Sequence, residues 1–139
     1  MSPLPPKLVL DAGPLIALFH AADPDHKAAV RGFSLLAEGP CRLIIPLPVV
    51  FKVFKWLLFE GGPAVARQAL ERMAEALEMV PLGLEDLEAL RVLLARRPDW
   101  KGTLEDASVL LLALRQEAPV WTLNYRDLGV FEELSFWTA

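Results

Sequence analysis

Apolar and polar positions fall into short alternating blocks along the chain, and the blocks predict strands and helices in turn. Lys7 to Leu10 is an apolar run of strand length that stops at Asp11. Gly13 and Pro14 follow as a turn. A helix is expected from Pro14 to His20, because proline is tolerated in a first turn where its missing N–H has no partner. Asp25 can cap a second helix, His26 to Ala37, which Gly39 and Pro40 end. Arg42 to Pro46 reads as a second strand. Pro48 then opens an apolar helix, Val49 to Phe59, stopped by Gly61 and Gly62.

The second half repeats the alternation. A helix is expected from Pro63 to about Leu77, then a strand from Met79 to Leu82. Leu84 to Ala95 is amphipathic, with Leu84, Leu87, Leu90 and Leu94 on one stripe. Arg96 to Lys101 is a polar loop. Thr103 can cap a helix that ends near Gln116, and Glu105 and Asp106 in its first turn complement the helix dipole. Val120 to Leu123 reads as a fourth strand, Asn124 to Asp127 as a turn, Leu128 to Glu133 as a short helix, and Ser135 to Trp137 as a last strand. Strands alternating with helices predict an α/β domain with a mostly parallel sheet covered on both faces. No repeat or linker divides residues 1–139, so a single domain is expected.

Composition narrows the class. Hydrophobic residues make up 54% and charged residues 23%, which excludes a disordered chain. The apolar surplus predicts a self-associating or partner-binding surface, and Val49–Phe59 and Ala64–Leu77 are the candidate helices. Charges interrupt every apolar stretch before membrane-spanning length, so no membrane association is expected. The proline-rich start, Met1 to Lys7, lacks the pattern of a signal peptide. Cys41 has no second cysteine to pair with, and a reducing cytoplasm is expected. A net charge of -4 argues against a protein that coats nucleic acid, though not against a nuclease with an acidic centre. Asn124 is the sole asparagine, a composition expected of a thermophile or of a GC-rich genome.

In open parallel sheets, chemistry gathers at the C-terminal ends of the strands. Asp11 follows the first strand, and Thr122, Asn124 and Asp127 follow the fourth. Asp106 sits in the first turn of the helix before that strand, within reach of the same rim. Each has a purely structural reading: Asp11 as a turn residue, Asp106 as a dipole complement, Asp127 as a helix cap, Asn124 as a turn residue. Their convergence favours a site. Acids crowded at one point need a cation, and for Asp11, Asp106 and Asp127 the fitting partners are Mg²⁺ or Mn²⁺, hard ions that prefer oxygen. Arg91, Arg96, Arg97 and Lys101 precede the Asp106 helix and are candidate phosphate contacts, with Trp100 a candidate for stacking a base. His20, His26 and Cys41 lack the spacing of a zinc site.

As an ordered set, these segments resemble a PIN domain of the VapC toxin kind over nearly the whole chain. LVLDAGPLIALF resembles the family's opening strand and helix, where the aspartate, here Asp11, is a metal ligand. Asp25 and His26 resemble the start of its second helix. IIPLPVVFKVFKWL resembles its second strand and third helix, and TLEDASVLLLAL the helix carrying its third acid, here Asp106. VWTLNYRDL resembles the closing pattern, with Thr122, Asn124 and Asp127 in register. The resemblance implies a three-layer α/β/α fold with a five-stranded parallel sheet. It implies endoribonuclease activity that depends on Mg²⁺ or Mn²⁺, an RNA substrate, a small antitoxin as partner and a homodimer or higher oligomer. Asp11, Asp106, Asn124 and Asp127 would then form the catalytic site, with Thr122 supporting it from behind.

The chain departs from that pattern at Leu47, where threonine or serine is usual, and at Lys52, where the family carries a glutamate. Lysine for glutamate makes the site two charges less negative. One ammonium–carboxylate pair at about 4 Å and an effective dielectric near 20 is worth about 4 kcal/mol before desolvation. Lys52 can alternatively snorkel to solvent along Trp56, but Val49, Val53 and Phe59 surround it at helical spacing, which favours an inward position. Two functions follow: a ribonuclease weakened at Lys52, or an inactive module that acts through an antitoxin or through dimerisation. A phosphotransfer domain with Asp11 as nucleophile is disfavoured, since Gly13 stands where a second aspartate would be needed. No strand is followed by the glycine pattern of a dinucleotide site.

Overall fold

The structure is a computed structural model that describes residues 4–139; Met1 to Pro3, part of the proline-rich start, lie outside it. In chain order the elements are β1 (Lys7–Leu10), α1 (Ala12–Phe19), α2 (His26–Ala37), β2 (Arg42–Pro46), α3 (Leu47–Gly61), α4 (Pro63–Ala76), β3 (Glu78–Val80), α5 (Leu84–Ala95), α6 (Leu104–Gln116), β4 (Val120–Trp121) and α7 (Tyr125–Leu128). The strands form one parallel sheet in the order β3-β2-β1-β4. Val9 is paired with Ile44 of β2 and with Val120 of β4, which makes β1 a central strand.

Consecutive residues Leu8, Val9 and Leu10 are fully buried, so both faces of β1 are covered by helices. This is the α/β/α layering that the alternation of blocks predicts. The core continues through Ile44 and Ile45 of β2, Val49, Val53 and Leu57 of α3, and Val109 and Leu112 of α6. Helix α6 is buried from Asp106 to Ala113, an apolar surface all round that belongs inside a domain. Close packing shows at Gly32 of α2, where an added Cβ would collide with the Trp121 indole. Trp121 in turn packs on Phe33 and Trp137, and its position fixes the chain as it enters the rim at Thr122.

Five expectations are corrected. The sheet has four strands among the described residues, not five. Ser135–Trp137 makes a single parallel bridge, Val120 to Phe136, because β4 is two residues long and Pro119 before it has no N–H to extend a ladder. Helix α1 begins at Ala12, ahead of Pro14. Asp11 is its N-cap in extended backbone, so Pro14 falls third in the helix, where an N–H would still be unpaired. β3 covers Glu78–Val80 rather than Met79–Leu82, since Pro81 cannot donate to the ladder. The expected turn at Asn124–Asp127 is itself helical, with Asn124 capping α7, and the helix expected at Leu128–Glu133 does not form.

The leucine stripe of α5 is less buried than its spacing implies. Only Leu90 is fully buried, in a small cluster with Ala107 and Leu111 of α6, whereas Leu84 is 81% exposed. Phe51 and Phe59 of α3 are also exposed. Among the described residues, no helix is long and apolar enough to cross a membrane.

Candidate active site

The rim at the C-terminal ends of β1 and β4 brings two acids into the interior of the protein. Asp11 is 3% exposed and Asp106 2% exposed. Asp11 is set by the end of β1, where its backbone N–H donates to the carbonyl of Trp121 across the sheet at 3.1 Å. Its Oδ2 accepts a 2.6 Å hydrogen bond from the hydroxyl of Thr122, a fully buried residue. The same Thr122 oxygen accepts from the Asn124 backbone N–H at 2.8 Å, so one side chain ties β1 to the turn after β4.

Asp106 is held from the other side. It occupies the third position of α6 and forms a capping box with Thr103. Asp106 Oδ2 accepts from the Thr103 N–H at 3.0 Å, and the Asp106 N–H donates to the Thr103 hydroxyl at 3.2 Å. Its role as a helix-terminal acid and its place at the rim are therefore the same fact. One oxygen serves the cap, and the other, Oδ1, is left over.

Three buried side-chain atoms have no hydrogen-bond partner among the described residues: Asp11 Oδ1, Asp106 Oδ1 and Trp137 Nε1. Buried polar atoms are rarely left so, and two carboxylate oxygens at one rim call for a cation. The Lys52 ammonium on α3 lies 3.7 Å from Asp106 Oδ1, with the lysine side chain 34% exposed. Burial pushes the Asp11 carboxyl above its ordinary range. The Thr122 hydrogen bond and, more weakly, the Ala12 backbone N–H pull it back; the charge of Asp106 raises it further and that of Lys52 lowers it.

Asp127 belongs to a neighbouring arrangement. Its Oδ2 accepts from Asn124 Nδ2 at 3.0 Å and from Arg126 Nη2 at 3.3 Å, and its backbone N–H reaches Asn124 Oδ1 at 3.4 Å. These partners, Asn124 first and Arg126 next, hold its carboxyl below the usual range, with a smaller contribution from Lys52. Among the described residues, no three or more acid, histidine or cysteine side chains come close enough together to hold a metal ion. The structure thus brings Asp11, Asp106, Thr122 and Lys52 together, and leaves Asn124 and Asp127 paired with each other.

A groove of about 710 Å³ opens beside Asp127, lined by Arg97, Trp100, Lys101 and Arg126 among others. Arg97 and Lys101 are where the sequence suggests phosphate contacts; Arg96 is not part of the wall. The Arg97 guanidinium lies over the Phe131 ring at 4.7 Å. Trp100 is a wall rather than a free stacking surface: its Nε1 donates to the Asp127 carbonyl at 2.7 Å and its ring meets Phe131 edge-on. Arg91 is engaged with Glu88 on the α5 surface. Arg126 was not singled out from the sequence, although its place beside Asp127 in the closing motif is a signal that could have found it.

The donor chemistry fits a hard divalent ion through Asp11 and Asp106. Each has one buried oxygen without a hydrogen-bond partner, and Mg²⁺ is commonly held by one or two carboxylates with waters and substrate phosphates completing its shell.

No family model matches the sequence, and no curated protein matches it by sequence. Solved structures do match in shape. A sarcin–ricin-loop-cleaving VapC toxin from Mycobacterium tuberculosis is similar with a TM-score of 0.77 at 18% identity, over 91% of this chain and 98% of that one. A VapBC complex from Rickettsia felis bound to a promoter DNA fragment is similar with a TM-score of 0.71 at 14% identity, over 94% and 97% of the two chains. A toxin–antitoxin complex from Klebsiella pneumoniae gives 0.65 at 20% identity, over 91% and 94%. The chain has the PIN-like fold of VapC-type toxins.

Because the Asp11 carboxyl is raised in the folded state, the protein binds its proton more readily than the unfolded chain does. The stability linked to this group is full below the ordinary value of 3.8 and is lost as pH rises through the folded value. Asp11→Asn keeps an acceptor for Thr122 and removes the charge. In metal-free buffer its melting temperature should exceed that of the unaltered protein at about pH 8, and the gap should close towards about pH 4. A gap that does not change with pH would remove this account of Asp11.

Proposed function

We propose that the protein is a VapC-type endoribonuclease that acts on RNA phosphodiesters with Mg²⁺ or Mn²⁺ held by Asp11 and Asp106. The observation that carries the reading is the pair of buried carboxylates, each with one unpartnered oxygen, at the C-terminal rim of a VapC-like sheet. A divalent ion at that pair would supply positive charge to the phosphoryl oxygens and acidify an attacking water. Thr122 holds the Asp11 carboxylate in one orientation, and Thr103 holds that of Asp106. Arg97, Lys101 and Arg126 present cations along the adjacent groove, where a phosphate backbone can be positioned. Asp127 borders the same groove and would orient water or substrate from there, with Asn124 holding its carboxylate.

A second reading has its own observation. Lys52 beside Asp106 already supplies a positive charge, which favours a chain that keeps the toxin fold but acts by binding alone. The experiment that separates the two is cleavage of end-labelled RNA, both a mixed-sequence strand and structured stem-loops, with Mn²⁺ or Mg²⁺. The unaltered protein should cleave weakly. Asp106→Asn should lower the rate by about a hundredfold or more, and Lys52→Glu should raise it. Silence from the unaltered protein and from Lys52→Glu alike would overturn the enzymatic reading in favour of the binding one.

The likeness to VapBC complexes supports a small antitoxin as partner, and exposed Phe51 and Phe59 on α3 offer apolar surface for it or for a second copy of the chain. If α3 is a self-association face, Phe51→Glu should lower the mass measured by light scattering. An unchanged mass would take α3 out of that role.

A further inference from the structure

We propose that Lys52 is a built-in counter-cation for the Asp11–Asp106 pair, and that a divalent ion gains the site only by displacing its ammonium. The inference rests on the reading of those two acids as the metal-holding pair. It goes beyond that reading by assigning a competing occupant from the chain itself.

Three observations converge on Lys52. Its ammonium is 3.7 Å from Asp106 Oδ1, an oxygen that nothing else satisfies among the described residues. Its positive charge is also the smallest of the influences that lower the Asp11 and Asp127 carboxyls. Its backbone position is rigid, because Val49 and Val53 on the same helix are fully buried and α3 packs against α6, which carries Asp106.

The contact has the character of a removable ion pair. At 3.7 Å it is longer than a charge-assisted hydrogen bond of about 2.7–2.9 Å. The lysine side chain is 34% exposed, and its four-carbon stem lets the head swing into water without moving the helix. Asp106 cannot follow, since its other oxygen is fixed in the α6 cap. The acids are thus preset and the cation is mobile. A monovalent charge on a tether offsets one of the pair's two negative charges in the absence of metal, and an arriving divalent ion must overcome both its repulsion and its occupancy. The outer part of this lysine lines an open pocket with Lys55, Trp56, Phe59 and Glu60, space into which the displaced ammonium can swing.

The test is Mn²⁺ binding to the whole protein, followed by electron paramagnetic resonance of the free ion and by melting temperature with and without Mn²⁺. The proteins are the unaltered chain, Lys52→Met, Lys52→Gln, Lys52→Glu, and Lys52→Glu combined with Asp106→Asn. Lys52→Met and Lys52→Gln should bind Mn²⁺ at least about tenfold more tightly than the unaltered chain, and Lys52→Glu more tightly again. Both neutral variants should melt lower than the unaltered chain in metal-free buffer and recover with Mn²⁺, while the unaltered chain responds little. Asp106→Asn should cancel the gain of Lys52→Glu. Equal Mn²⁺ affinity in the unaltered chain and both neutral variants would overturn the inference and leave the metal reading standing. No binding in any variant would remove the acid pair as a metal site, and this inference with it. Tightened binding without RNA cleavage would uphold the inference and overturn the ribonuclease reading.

Discussion

Two like charges buried at one rim are the constraint around which this molecule is arranged. Asp11 and Asp106 are almost wholly removed from water, and burial, with the charge of Asp106 adding to it, raises the cost of ionising Asp11. The surrounding structure answers that cost piecemeal. Thr122 donates to one carboxylate and the Thr103 N–H to the other, while the α6 dipole and the Lys52 ammonium add positive potential. Each answer depends on a distant part of the fold: Thr122 on β4 and its Trp121 anchor, Thr103 on the start of a buried helix, Lys52 on α3. The site and the packing are therefore one system. A close approach as remote as Gly32 against Trp121 helps set where the Thr122 hydroxyl lies.

Much of the frame was legible because it depends on local pattern. β1, α2, β2 and α5 begin and end where apolar runs meet charge, glycine or proline, and the parallel sheet follows from the alternation of strands and helices. The misreadings share a cause. Pro14 in the sequence points to a helix start, but the cap is decided by the backbone of Asp11, where β1 ends. The missing fifth strand depends on how far β4 extends, and that is a property of the pairing rather than of Ser135–Trp137 alone.

The site was legible in membership and less so in connectivity. Thr122 meets Asp11 at 2.6 Å, and Lys52, set among apolar neighbours on α3, lies 3.7 Å from Asp106 with its side chain 34% exposed. What spacing does not carry is which oxygen is already spent. Asp106 reads equally well as a cap and as a ligand, and the structure gives it both environments, one per oxygen. Asp127 stands in the same motif register as a ligand would, yet Asn124 and Arg126 absorb its carboxylate. Spacing alone does not mark a surface arginine such as Arg126; its place is set by the Asp127 carboxylate and the groove it lines.

When no metal is present, Lys52 holds the acid pair in balance. A double-mutant cycle on unfolding free energy tests it directly, using Lys52→Met, Asp106→Asn and the pair together, in chelator-treated buffer. Asparagine retains an acceptor for the α6 cap, so the cycle isolates the charge on the oxygen that faces the ammonium. The expected result is a favourable coupling on the order of 0.5–3 kcal/mol that shrinks as salt is added. Additivity within about 0.3 kcal/mol would mean that the ammonium does nothing for Asp106, and the account of the site would fall.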